Sequence, residues 1–261
     1  MASIVSADQL KRVVEIPFPP RRIVSLVPSQ TELLFDLGLE DSVAGVTRFC
    51  IHPKDKIAQK VKVGGTKQFD FEKIAQLQPD LIIGNKEENY EEGIAELQRQ
   101  FPVWMSDVNT LEDAFAMIKE VGRITGTEKK AEEVIQQIFF DTNDSAKTVS
   151  VAYFIWRKPY MAAAGNTFIN EMLMHFGAYN VLSKLTRYPE IDPAMLSELN
   201  PDFIFLSSEP YAFKEIHFEE FQSFSPKSKI VLVDGEMFSW YGSRLRLANN
   251  YFRALKSRLR G

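Results

Sequence analysis

The sequence predicts an α/β chain of two similar lobes with parallel sheets, bridged by a single long helix, with a ligand cleft between the lobes. Three observations carry this. Short apolar runs alternate with amphipathic helical stretches, the pattern of parallel strands with helical crossovers. A unit of helix, proline, aspartate and strand occurs twice, at an offset of 122 residues. Between the copies lies an amphipathic stretch with charged residues on its outer face.

In chain order, Ile23, Val24, Leu26 and Val27 read as a short buried strand. Ser29-Gln30-Thr31-Glu32 then reads as a capping box for a helix that buries Leu33, Leu34 and Leu37 and stops at Gly38. The next helix opens at Asp70, places Phe71, Ile74 and Leu77 on one face and breaks at Pro79 before the strand Leu81-Ile82-Ile83. This segment, IAQLQPDLIIGNKEE, aligns without gaps with MLSELNPDFIFLSSEP, pairing Leu77 with Leu199, Asp80 with Asp202, Ile82 with Ile204 and Glu87 with Glu209. In each copy a strand ending in aspartate follows, VWMSD to Asp107 and IVLVD to Asp234. The reading is therefore a lobe over 1–123, a bridging helix over 124–147 and a second lobe over 148–261. Ala131, Val134, Ile135 and Ile138 form the apolar stripe of that helix, and the chain is expected to cross between lobes once.

Composition narrows the function. With 45% hydrophobic and 25% charged residues, the chain can build a sizeable core. A net charge of −4 argues against a nucleic-acid surface, and the basic tail Arg244 to Arg260 reads as the solvated face of a helix. The single cysteine excludes an intrachain disulfide. No basic segment followed by an apolar run opens the sequence, and no apolar run approaches the roughly 20 residues that span a bilayer, so neither export nor membrane insertion is expected from the sequence as it stands. G-x-S-x-G, H-E-x-x-H and dinucleotide-binding patterns are absent, and VGGTK at Val63 to Lys67 lacks the spacing of a phosphate loop, so an enzyme is not expected.

Ligands of open parallel sheets bind outside the carboxyl ends of the strands. The segments that follow the expected strands supply Ser29, then Glu87, Glu88 and Asn89, then Trp156 and Arg157. Farther on they supply Glu209 and Tyr211, and finally Trp240, Tyr241 and Arg244. Aromatic faces with a few carboxylates and guanidinium groups suit a large planar ligand. In FCIHP, Cys50 and His52 are spaced to share a metal, with Glu87, Glu88 or His217 completing the set; the competing reading is a buried cysteine acting as a small hydrophobe.

RRIVSLVPSQTELLFDLGL, VGGTKQFDFEKIAQLQPDLII, RYPEI before LNPDFIFLSSEPYAF, and DGEMFSWYGSR resemble the substrate-binding proteins of ABC importers for cobalamin, ferric siderophores and haem. The likeness runs from Asp8 to the C-terminus, and FCIHP, EEN, EPYAF and WYGSR resemble the helical-backbone metal-receptor branch. The resemblance implies two Rossmann-like lobes and a monomer that binds a metal chelate, a corrinoid or ferric siderophore before haem. It also implies no intrinsic cofactor, since cobalt or iron arrives in the ligand, and delivery to an ABC permease. The implied location is periplasmic or cell-surface, against cytoplasmic if the sequence is complete. In this family a glutamate on each lobe docks on permease arginines. Glu72 matches the first; the second position holds Ala194, with Glu190, Asp192 and Glu198 nearby. Two other readings are a cytoplasmic corrinoid or metal-handling protein on the same fold, and a metal-dependent enzyme using Cys50 and His52.

Overall fold

A computed structural model describes residues 2–141 and 149–260. The chain divides into two units, one comprising residues 1–108, 112–138 and 241–244, the other residues 109–111, 139–240 and 245–261.

The first unit opens with a hairpin of β1 (Ser3–Ala7) and β2 (Val13–Pro17). It continues through β3 (Ile23–Ser25), α1 (Pro28–Asp36), β4 (Val43–Val46), α2 (Lys54–Ile57) and β5 (Val61–Lys62). Then come α3 (Phe71–Leu77), β6 (Leu81–Asn85), α4 (Glu91–Gln98) and β7 (Val103–Ser106), followed by α5 (Leu111–Thr125) and α6 (Glu128–Gln136). Its five-stranded sheet is wholly parallel in the order β5-β4-β3-β6-β7. Both faces are covered by helices, so β3, β6 and β7 are buried at every position, as apolar runs without alternation require. The hairpin is held down by polar contacts: the Trp104 indole donates to Ser6 Oγ at 3.1 Å, and Ser6 donates to Glu120 at 2.5 Å.

The second unit runs β8 (Val149–Trp156), β9 (Met161–Ala163), α7 (Phe168–Phe176), β10 (Ala178–Asn180) and α8 (Pro193–Leu199). It goes on with β11 (Phe203–Ser207), α9 (Phe218–Phe224), β12 (Lys229–Val233), α10 (Glu236–Ser239) and α11 (Leu245–Arg260). Its parallel path is β10-β8-β11-β12, and β9 turns back antiparallel on β8. One face packs an aromatic layer in which Phe205 and Phe238 contact Tyr153, Phe176 packs against Phe205 and Phe238, and Phe252 closes the stack on α11.

The expected duplication is present in atomic detail. The helices α3 and α8, and the strands β6 and β11, each start and stop 122 residues apart. Asp70 and Asp192 cap the two helices through their side chains, and Gln78 and Asn200 end them in the left-handed conformation at φ 45° and 39°. Asp80 accepts the backbone N–H groups of Arg21 and Arg22, both at 2.8 Å, and Asp202 accepts the N–H and hydroxyl of Ser150, also at 2.8 Å. Each aspartate thus ties the start of its own strand to the start of the neighbouring strand. Asp80→Ala is expected to cost on the order of 1–2 kcal/mol, read by urea unfolding, because two backbone donors lose a charged acceptor; an unchanged midpoint would refute this role.

Three expectations are corrected. The stretch 124–147 is not one helix: the chain breaks at Gly126, φ +72°, between α5 and α6, both of which belong to the first unit apart from Leu111, and residues 142–148 lie outside the described residues. A glycine in that conformation ends a helix at no steric cost, whatever the apolar periodicity on either side. Tyr241 to Arg244, read as part of the second lobe, belong to the first unit, so the chain does not pass between units only once. Finally, α1 is entered through Val27 with Pro28 in its first turn and has no side-chain cap, which displaces the expected capping box. Glu32 is instead taken by an arginine from the far end of the sequence.

Candidate functional site

In the first unit the carboxyl ends of β6 and β7 are joined by buried amides and hydroxyls. Asn85 donates to Ser106 Oγ at 2.9 Å, and its Oδ1 accepts the N–H groups of Glu87 and Glu88 at 2.8 and 3.1 Å. Asn89 accepts from Asn85 N at 2.9 Å and donates to the Thr66 carbonyl at 3.1 Å. Asn89, expected to touch a ligand, is therefore a brace that fixes the loop carrying Glu87 and Glu88, both half-buried.

Tyr241 to Arg244 lie across this edge. The Tyr241 hydroxyl donates to Glu88 at 2.6 Å; burial, then the Glu88 carboxylate, push the phenol pKa well above its ordinary value, so it stays a donor. Arg244 grips Glu32 with two parallel bonds of 2.8 and 2.6 Å, with 9% and 16% of the two side chains exposed. Between them, a Cβ on Gly242 would come within 2.7 Å of the Ser29 carbonyl oxygen, so only glycine lets the segment lie this close to α1. Ser29, Tyr241 and Arg244 are buried and shape the edge.

At the end of β4 the chain alternates. Cys50 points inward at 2% exposure, while its neighbours Phe49 and Ile51 stand out at 50% and 45%. The Arg48 guanidinium lies over the Phe49 ring at 5.1 Å. Phe49 and Ile51 were missed as candidates; the alternation within FCIHP was the available signal.

In the second unit Trp156 ends β8 at 40% exposure, with the Tyr211 ring edge-on at 5.8 Å. Arg157 is bound by Glu220 at 2.7 Å, and the Tyr160 hydroxyl donates to the same carboxylate. Burial and that carboxylate raise the Tyr160 pKa to about 12. Glu209 accepts from Ser239 Oγ at 2.7 Å and from the Trp240 indole at 2.8 Å. Burial raises its pKa, the two donors offset part of this, and Glu236 and Asp234 add to the rise.

A carboxylate whose folded pKa is raised binds its proton more tightly in the fold than in the unfolded chain, so its contribution to stability falls as pH climbs above the ordinary value of 4.5 and through the folded value. Glu209→Gln keeps an acceptor for Ser239 and Trp240 and removes that titration. The melting temperature of the variant relative to the parent is expected to rise between pH 4.5 and pH 8; a difference independent of pH would exclude the effect.

The expected metal set does not form. Cys50 Sγ lies 3.1 Å from Thr31 Oγ1 and 3.2 Å from Thr47 Oγ1, and burial raises its pKa, which disfavours the thiolate a metal needs. His52 is half-buried in the same unit. His217 belongs to the other unit, where its Nδ1 accepts Lys214 N–H at 2.9 Å and its Nε2 lies 3.3 Å from the Tyr211 hydroxyl. Among the described residues no group of three or more His, Cys, Asp or Glu is placed to hold a metal ion.

Two duplicated parallel-sheet units with aromatic and carboxylate side chains at their strand ends define a two-lobe solute-binding protein. The chain belongs to the periplasmic binding protein family, whose profile matches residues 23–227. It is 30% identical over 213 residues to the uncharacterized ABC transporter substrate-binding lipoprotein YvrC of Bacillus subtilis, covering 76% of this chain and 67% of that protein. It is 28% identical over 200 residues to a vitamin B12-binding protein of Vibrio campbellii, covering 72% and 71%. In fold it is similar to the petrobactin-binding protein YclQ of Bacillus subtilis, with a TM-score of 0.80 at 20% identity over 100% of both chains.

Proposed function

We propose that this chain is the substrate-binding protein of an ABC importer and captures a metal chelate, a corrinoid or ferric siderophore in preference to haem. The observation that carries the reading is the exposed Trp156 face beside Tyr211 at the strand ends of the second unit, a flat apolar surface of the kind a bulky planar ligand covers. Phe49 and Ile51 offer a second apolar surface on the first unit. Relatives named for vitamin B12 and petrobactin support a chelate as the cargo. Cobalt or iron enters with the ligand; the burial of Cys50 speaks against a metal held by the protein itself and so against the metal-enzyme reading. The protein acts as a monomer on the outer side of the cytoplasmic membrane, binds and does not catalyse, and among the described residues no helix is long and apolar enough to cross a membrane.

The test is a panel of cobalamin, haem and ferric siderophores, read by tryptophan quenching and thermal shift. A ligand at 100 times its Kd is expected to stabilise the fold by about 2.7 kcal/mol; silence across the panel would remove the reading.

Glu72, exposed in the first turn of α3, is the docking contact with the permease. Its counterpart on α8 is Ala194, and exposed Glu190 supplies the nearby charge. Glu72→Ala is expected to leave ligand affinity intact and to slow association with the permease, since rim charges act mainly on association rate. Equal loss of both would contradict this assignment.

A further inference from the structure

The helix α11 holds five of the 31 Lys and Arg of the chain and none of its 35 Asp and Glu. Its inner face is fixed in the second unit by Leu245, Ala248, Phe252 and Leu255, all buried. Arg246, Arg253 and Arg260 stand seven residues apart, nearly two full turns, so they form one line along a flank of the helix, about a quarter-turn from the buried stripe, with steps of about 10.5 Å; Arg246 is half-buried and Arg253 and Arg260 are exposed. Arg253 is 68% exposed, even with Asp141 at 3.7 Å.

We propose that this face of α11 rests on a bilayer surface rich in anionic phospholipids. Guanidinium groups bind phosphate oxygens through paired N–H donors, and a straight row on a rigid helix meets a flat charged surface without rearrangement. The rest of the chain is acidic, so the attraction is confined to this face and orients the molecule.

The experiment is co-sedimentation of the full chain, at low and at raised salt, with vesicles of phosphatidylcholine alone or mixed with phosphatidylglycerol. Binding is expected only to the mixed vesicles and is expected to fall with salt. Arg253→Gln with Arg260→Gln should weaken it by at least about tenfold, taking roughly 1 kcal/mol for each arginine near the surface, while Arg253→Lys with Arg260→Lys keeps most of it. Circular dichroism checks that each variant is folded. Equal binding to both vesicle types, no binding to either, or full binding by the glutamine variant would overturn the proposal, as would membrane association that requires the permease.

Discussion

Arg244→Ala is expected to lower the melting temperature by roughly 6–12 °C, from the loss of about 3 kcal/mol. The side chain joins Glu32 through two bonds at 9% and 16% exposure, so truncation leaves a carboxylate in a largely dry site without the guanidinium that grips it. The energy lost is mainly the cost of that stranded charge, which gives the prediction a second test. Glu32→Ala in the Arg244→Ala background should recover part of the stability, because no lone charge remains. Additive losses in the double variant, or a shift within about 2 °C, would show that the pair contributes no more than an exposed ion pair.

That pairing also marks the limit of what the sequence discloses. The repeated unit was readable because both copies obey one local grammar: a capping aspartate, a helix ended by a left-handed residue, a proline, then an aspartate tying two strand starts together. Each contact in it spans few residues or links neighbouring strands, and periodicity reports it directly. The contact between Arg244 and Glu32 joins positions 212 residues apart, and no pattern near either residue announces it. The same separation hid the membership of Tyr241 to Arg244 in the first unit and turned an expected capping residue into half of an ion pair.

The candidate site was legible as segments and less so as side chains. Strand ends were placed correctly because strands were. Which residue at a strand end faces outward depends on how its neighbours satisfy their hydrogen bonds. Asn89 was expected outward, yet its amide completes a buried loop. Trp240 and Glu209 were both counted as ligand groups, and they bind each other. Phe49 and Ile51 carry no ligating or titrating group and alternate with Cys50 and His52, which do, so residue chemistry points to the latter pair, and the fold buries the first of them.

Trp156→Ala is expected to weaken ligand binding tenfold to a hundredfold, about 1.4–2.8 kcal/mol, and to leave the melting temperature of the free protein nearly unchanged. The two readouts separate because the ring is 40% exposed at the end of β8, with Tyr211 edge-on to it, so its apolar face has more to lose in a complex than in the free chain. Trp156→Phe keeps a stacking face and should recover much of the affinity. Tyr211→Ala alone should cost less, and the double variant should show coupling, since Tyr211 acts partly by holding the indole at its angle. Calorimetry with whichever chelate stabilises the protein measures all four. Parent-like affinity in Trp156→Ala, with the fold intact, would move the ligand away from the strand ends of the second unit. The aromatic pair would then be a cover over the Phe213 and Phe221 cluster, which Tyr211 joins at 4.7 Å from Phe213.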